Sequence, residues 1–107
     1  MSGIGAMPSI GFRPGATWRA VTRAANVTYT NDTPFAIGFR VSTLDTEGTL
    51  RNCSVSLTVN GENLGSSTAI DRNNAAQEIG EFAIVPPGAT YSWSGLAPNG
   101  YKAREFR

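Results

Sequence analysis

From Cys53 to Val59 the chain alternates without a break, with Cys53, Val55, Leu57 and Val59 on one side and Ser54, Ser56 and Thr58 on the other. A period of two places a half-buried strand there. Asn60-Gly61 follows directly, and both residue types tolerate the positive φ that a two-residue hairpin turn demands. Phe35 to Thr43 repeats the pattern: Phe35, Ile37, Phe39 and Val41 oppose Ala36, Gly38, Arg40 and Ser42. Its apolar face is expected to meet that of the hairpin. Shorter runs of strand chemistry occupy Val27 to Thr30, Glu81 to Val85, Thr90 to Trp93 and Tyr101 to Phe106, each bounded by turn residues. About six to eight strands at this spacing predict an all-β fold, a small β-sandwich or jelly-roll-like knob.

Between the runs the punctuation is specific. Val85-Pro86-Pro87-Gly88-Ala89 ends a strand abruptly, because neither proline carries an N–H for the ladder and Gly88 suits a turn. Asp71 to Gln77 has no strand preference and reads as an exposed loop, which makes Asp71, Arg72, Asn73, Asn74 and Gln77 the candidate surface-binding residues. Thr17 to Ala24 is compatible with a single helical turn capped by Thr17 that brings Trp18 and Val21 to one side. Residues 1–16 hold to no period and are rich in glycine and proline, so they read as an arm or linker. Four sizeable apolar residues in that arm (Ile4, Met7, Ile10 and Phe12) would each gain ~1.5–3 kcal/mol by burial, which marks it as an anchoring arm rather than a solubilising tail.

Composition narrows the picture. A chain of 107 residues supports one domain, here residues 17–107. Charged residues make up only 16% and the net charge is +1, so no basic stripe exists to neutralise phosphates and nucleic acid is not expected as a partner. The single cysteine, Cys53, has no intrachain partner, and with no histidine in the chain neither a Cys/His metal site nor any cofactor is expected. No lysine or arginine precedes Arg13 and no long apolar run occurs, so neither a secretory signal nor membrane insertion is expected, and folding in a cytosol is. The sequons at Asn26, Asn31 and Asn52 read as ordinary strand and turn sequence.

The succession Trp18, Val21, Arg23, Tyr29-Thr30-Asn31, Pro34, Ile37, then Ile84-Val85-Pro86-Pro87-Gly88-Ala89-Thr90-Tyr91-Ser92 and a closing Arg104-Glu105-Phe106-Arg107 resembles the C-terminal domain of bacteriophage tail-fibre proteins. The resemblance spans residues 17–107. Where those proteins carry Gly-Arg-Pro-Ile after the Tyr-Thr-Asn motif, this chain has Asp32-Thr33-Pro34-Phe35-Ala36-Ile37. The resemblance implies a β-sandwich knob, a homotrimer, made in the cytoplasm of a bacterial host and located on the virion. The matching motifs look like determinants of the fold: a buried Trp, a proline turn, and a terminal Arg that pairs with a carboxylate. In the family the domain caps a long fibre; here it follows a short arm, so attachment to other virion proteins is expected through that arm.

Catalytic chemistry finds little support. Without histidine, Ser and Thr lack their usual activating base, and Cys53 lies on the apolar face of a strand, where a thiol is more often inert. Paired carboxylates are the remaining route, as in glycoside hydrolysis. Asp45 and Glu47 share a face if extended but sit in a turn-rich stretch, and Glu78 and Glu81 face opposite ways in a strand. The chain is not expected to be an enzyme. Trp18, Tyr91, Trp93 and Tyr101 are candidates for stacking on sugar rings, with core packing as the competing role; Tyr91 and Trp93 share one face, which is either core or trimer seam. The cations of Tyr101 to Arg107 suit an acidic glycan, another virion protein, or ion pairs around a trimer base. The function expected is that of a virion structural protein, a trimeric knob of a tail fibre or tail tip that contributes to host-surface recognition. The alternatives are a capsid decoration or collar protein held by its arm, and a carbohydrate-binding module or glycan-active enzyme.

Overall fold

The structure, a computed structural model, describes residues 11–45, 52–70, 77–98 and 100–107. Eight strands follow in order: β1 (Trp18–Val21), β2 (Tyr29–Thr30), β3 (Ile37–Asp45), β4 (Asn52–Val59), β5 (Glu62–Ile70), β6 (Gln77–Val85), β7 (Thr90–Ser94) and β8 (Tyr101–Phe106). They form two four-stranded sheets, β1-β8-β3-β6 and β2-β7-β4-β5, with antiparallel pairing throughout. The fold is an all-β sandwich. Only β4 and β5 are consecutive neighbours in one sheet; every other connection passes from one sheet to the other.

The alternation read in the sequence decides which side chains meet between the sheets. Ile37, Phe39 and Val41 of β3 pack with Val55, Leu57 and Val59 of β4, and Ala83, Val85, Tyr91, Trp93 and Ala103 complete the same core. Cys53 is a free, buried thiol at its margin. Asn60 (φ 51) and Gly61 (φ 79) both occupy the left-handed region, as the hairpin requires, and Val59 pairs with Glu62 across them. One residue further into β5 the register slips between Leu57 and Thr58, leaving Leu64 as the extra residue of a bulge.

Turn and cap chemistry closes one end of the sandwich. Pro86-Pro87-Gly88-Ala89 forms a turn in which Ala89 N–H donates to the Pro86 carbonyl (3.1 Å) and Gly88 takes φ 78. The fully buried Asn31 amide ties this turn to the segment before β3. Its Nδ2 donates to the carbonyls of Phe35 (2.8 Å), Val85 (3.0 Å) and Pro86 (3.2 Å), while its Oδ1 accepts from Thr33 N–H and Oγ1. Gly88 N–H donates to the Asn31 carbonyl and Asn31 N–H to that of Ala89.

Several local expectations are corrected. Residues 18–21 are the edge strand β1, paired with β8 from Trp18↔Phe106 to Val21↔Ala103, not a helical turn. The open N–H and C=O groups of β8 offer more hydrogen bonds than one isolated turn could make for itself. Trp18 is not the buried tryptophan: it is 49% exposed, whereas Trp93 is buried. Val27 is exposed and precedes the strand, which begins at Tyr29. Phe35 likewise precedes β3, since its carbonyl serves Asn31 and Thr33 instead of a ladder. Gln77 opens β6 opposite Asp45 instead of closing a loop.

Candidate functional site

Because Ile37, Phe39 and Val41 point inward, the alternate residues of the first sheet point out, and the register sets them in rows. One row runs Trp18, Phe106, Gly38, Ile84; the next runs Ala20, Arg104, Arg40, Phe82. Phe82 and Ile84 are 49% and 52% exposed, comparable with Trp18. Large apolar side chains on a solvent-facing sheet surface are the informative kind of exposure when they cluster.

These do cluster. Trp18 leans on Phe106 (ring centroids 5.4 Å apart) and on Phe82 (6.0 Å), and Phe12 meets Phe106 edge-on at 5.0 Å. Together they line an open cleft of about 200 Å³. Gly38 makes the arrangement possible, since a Cβ there would come within 3.0 Å of the Phe82 ring and 3.1 Å of Phe106 Cβ. Phe12 is held by a bridge to Ala36 and by Ala36 N–H donating to the Gly11 carbonyl. The described part of the arm therefore lies against its own sandwich; Ile4, Met7 and Ile10 lie outside the described residues.

Beside the aromatic cleft stand the cations. Arg40 and Arg104 are direct cross-strand partners, and Lys102 is one outward position further along β8. Arg40 reaches over Gly80, where a Cβ would stand 3.0 Å from its guanidinium nitrogen. The acid on this face among the described residues is Glu78, two register rows from Arg40. A second concavity, a groove of about 490 Å³, opens at the end of the sheet where the arm enters, with Arg13, Arg19 and Arg107 facing Asp32 over a floor that includes Pro34 and Phe35.

The remaining candidate groups are structural. Tyr91 and Trp93 are both core residues, and Tyr101 is half-buried against Trp93 at 4.9 Å. Glu105, fully buried, is satisfied on all sides: Tyr91 OH donates to its Oε2 (2.6 Å), Arg23 reaches it through Nε (2.8 Å) and a second nitrogen (3.2 Å), and Arg107 Nε forms an ion pair at 3.1 Å. Trp93 Nε1 donates to the Arg23 carbonyl at 2.6 Å, and the Arg23 guanidinium lies 4.9 Å over the Tyr29 ring. Burial, followed by the bond to the Glu105 carboxylate, pushes the Tyr91 phenol above its ordinary range. For Arg23 burial pulls the other way and is outweighed by the hydrogen bonds to Tyr91 and Glu105, so its affinity for the proton rises. Of the carboxylates, Glu78 and Glu81 do face opposite ways on β6; Glu81 turns toward the second sheet, where Ser67 Oγ donates to it. Asp45 ends β3, and Glu47 lies outside the described residues.

Asp71, Arg72, Asn73 and Asn74 also lie outside the described residues, but the stems of their segment are fixed: Ile70 pairs with Asn52, and Gln77 with Asp45. No metal-ligating cluster of His, Cys, Asp or Glu occurs among the described residues, and no helix there is long and apolar enough to cross a membrane. The aromatic cluster was missed in the sequence because its members come from the arm, β1, β6 and β8. Compared with protein-family models and with curated proteins, the chain matches none.

Proposed function

We propose that this protein is a structural component of a bacteriophage virion, a trimeric knob of a tail fibre or tail tip that contributes to host-surface recognition. The observation that carries the reading is the polarity of the sandwich. Phe12 pairs at Ala36, immediately before β3, while Asp45, at the far end of the same nine-residue strand, pairs with Gln77, the stem of the 71–76 segment. At ~3.3 Å per residue, the Phe12 contact and the Gln77 stem stand ~25–30 Å apart, at opposite ends of β3. Attachment through the arm's end would leave the end that carries the Ile70 and Gln77 stems facing the host surface. The sequence motifs shared with tail-fibre C-terminal domains add to this reading. In the fold they meet: Asn31 of the Tyr-Thr-Asn motif bonds the Val85 and Pro86 carbonyls, and Arg23 bonds Glu105.

Light scattering tests it on the full chain and on a chain lacking residues 1–10, a cut that spares the Gly11 and Phe12 contacts. We expect a trimer in both, with the arm required only for incorporation into particles. A monomer in both would overturn the trimeric knob and favour a decoration protein or a free binding module. Trimer loss on deletion would make the arm the seam between subunits instead of the anchor.

A further inference from the structure

We infer that the outward face of the first sheet binds sugar, and that the sugar is an acidic glycan bearing carboxylates. The inference rests on the host-recognition part of the reading above and not on the oligomeric state.

Two features of one face point to this ligand. Trp18, braced by Phe82 and Phe106, offers a half-exposed ring already fixed in place beside a cleft on the scale of one sugar ring. Rigid aromatic surfaces suit the apolar face of a pyranose, whose hydroxyls remain at the wet rim. The second feature is an electrostatic misfit. Arg40 and Arg104 are directly opposed across β3 and β8, and like charges in that position destabilise a sheet. Lys102 adds a third cation, and the described acid nearest to them on the face is the distant Glu78. Arginine forks match carboxylates in bidentate geometry, so an anion laid across the pair removes the repulsion.

The rows lie one outward step apart on each strand, ~7 Å. A ring stacked by Trp18 and Phe82 therefore brings a carboxylate on it, or on its neighbour in the polymer, to the Arg40–Arg104 pair. Association of two copies through this face would set cations against cations, which argues for an acidic partner over a second copy of the chain. Three cations in a protein of net charge +1 are too few to track a phosphate backbone.

The test is calorimetric titration of the full chain with tetramers of galacturonate, of mannuronate and guluronate, and of N-acetylneuraminate, each beside neutral maltotetraose. We expect at least one acidic tetramer to bind at least tenfold more tightly than the neutral one. Trp18→Ala and Arg104→Gln should each weaken it tenfold or more, while Leu96→Ala, an exposed apolar control elsewhere, leaves it unchanged. Arg104→Gln should keep or raise the unfolding midpoint, because it relieves the cross-strand repulsion; a merely structural role would lower it. Absence of binding at millimolar tetramer, equal binding of maltotetraose, or displacement by inorganic phosphate as effective as by the uronide would each overturn the inference. Light scattering on the same sample separates the two readings. A trimer that ignores every acidic tetramer overturns this site and leaves the knob standing; a monomer that binds one overturns the trimeric knob and leaves the site.

Discussion

Tyr91 shows how one buried polar group serves both core and network. Its ring packs against Phe39 at 4.8 Å, and its hydroxyl donates to Glu105 while accepting from Arg23 Nε. Burial strips that phenol of water, and ionising it would also set an anion against the Glu105 carboxylate; together these outweigh the help from Arg23, which is why its proton is held more tightly than usual. A group whose folded pKa lies above its unfolded value contributes its full stabilisation below the unfolded value, here about pH 10 for tyrosine, and loses it as pH climbs through the folded value. The wild-type denaturation midpoint should therefore fall as pH rises above about 10. Tyr91→Phe removes the titrating group. At pH 8 it should be less stable by about 1–3 kcal/mol for the lost bond to a charged acceptor, with a smaller decline at high pH, so that the two stability curves converge. Urea unfolding from pH 8 to 11.5 distinguishes this from parallel curves, which would mean that the phenol does not couple to folding.

Close approach between elements sets a different constraint at Gly95, which follows β7 with φ 148. A Cβ there would stand 2.1 Å from the Ser54 carbonyl oxygen and 3.1 Å from Val55 Cα. Those are backbone atoms of a central strand, held in place by Ser54 N–H donating to the Leu96 carbonyl and by Leu96 N–H donating to Ser54 Oγ. Gly95→Ala must separate β7 from β4, and we expect a loss above about 4 kcal/mol, in the range reserved for such specific mechanisms. Thermal unfolding monitored by near-ultraviolet circular dichroism would show it; a midpoint within a few degrees of wild type would mean that the segment after Ser94 gives way freely. Neighbouring elements explain what could be read in advance. β3, β4 and β7 are legible because alternation in sequence coincides with burial on one face. β5 is not: its inward positions Gly65 and Ser67 sit beneath the Glu81 carboxylate, so polar and absent side chains stand where apolar ones would have signalled a strand. β1 misleads because its Trp18 packs on the outer face of an edge strand. The aromatic and cationic rows exist only through register, with Trp18 opposite Phe106 and Arg40 opposite Arg104, and no local pattern encodes a partner so far along the chain.

Connections across the sandwich dominate the molecule as a whole. The closing ladder joins β1 to β8, so nearly the entire chain must be in place before Trp18 finds Phe106, and Arg23 and Glu105 meet over a comparable separation. Loop-closure entropy has to be met before such pairings return anything. Apart from the β4–β5 hairpin, no pairing among the described strands offers a local route. Folding should therefore fall in the slow range of sheet sandwiches, milliseconds to seconds. Trp93, buried and bonded to the Arg23 carbonyl, provides the signal, and Trp18→Phe removes the competing half-exposed indole. In stopped-flow refolding of that variant we expect a single slow phase whose rate does not change with protein concentration. The described core runs within one chain from Phe39 of the first sheet to Leu57 of the second, so the trimer proposed above should assemble from sandwiches already formed. A rate that rises with concentration would reverse that order and make partner chains part of the core's formation, with the knob stable only as an assembly.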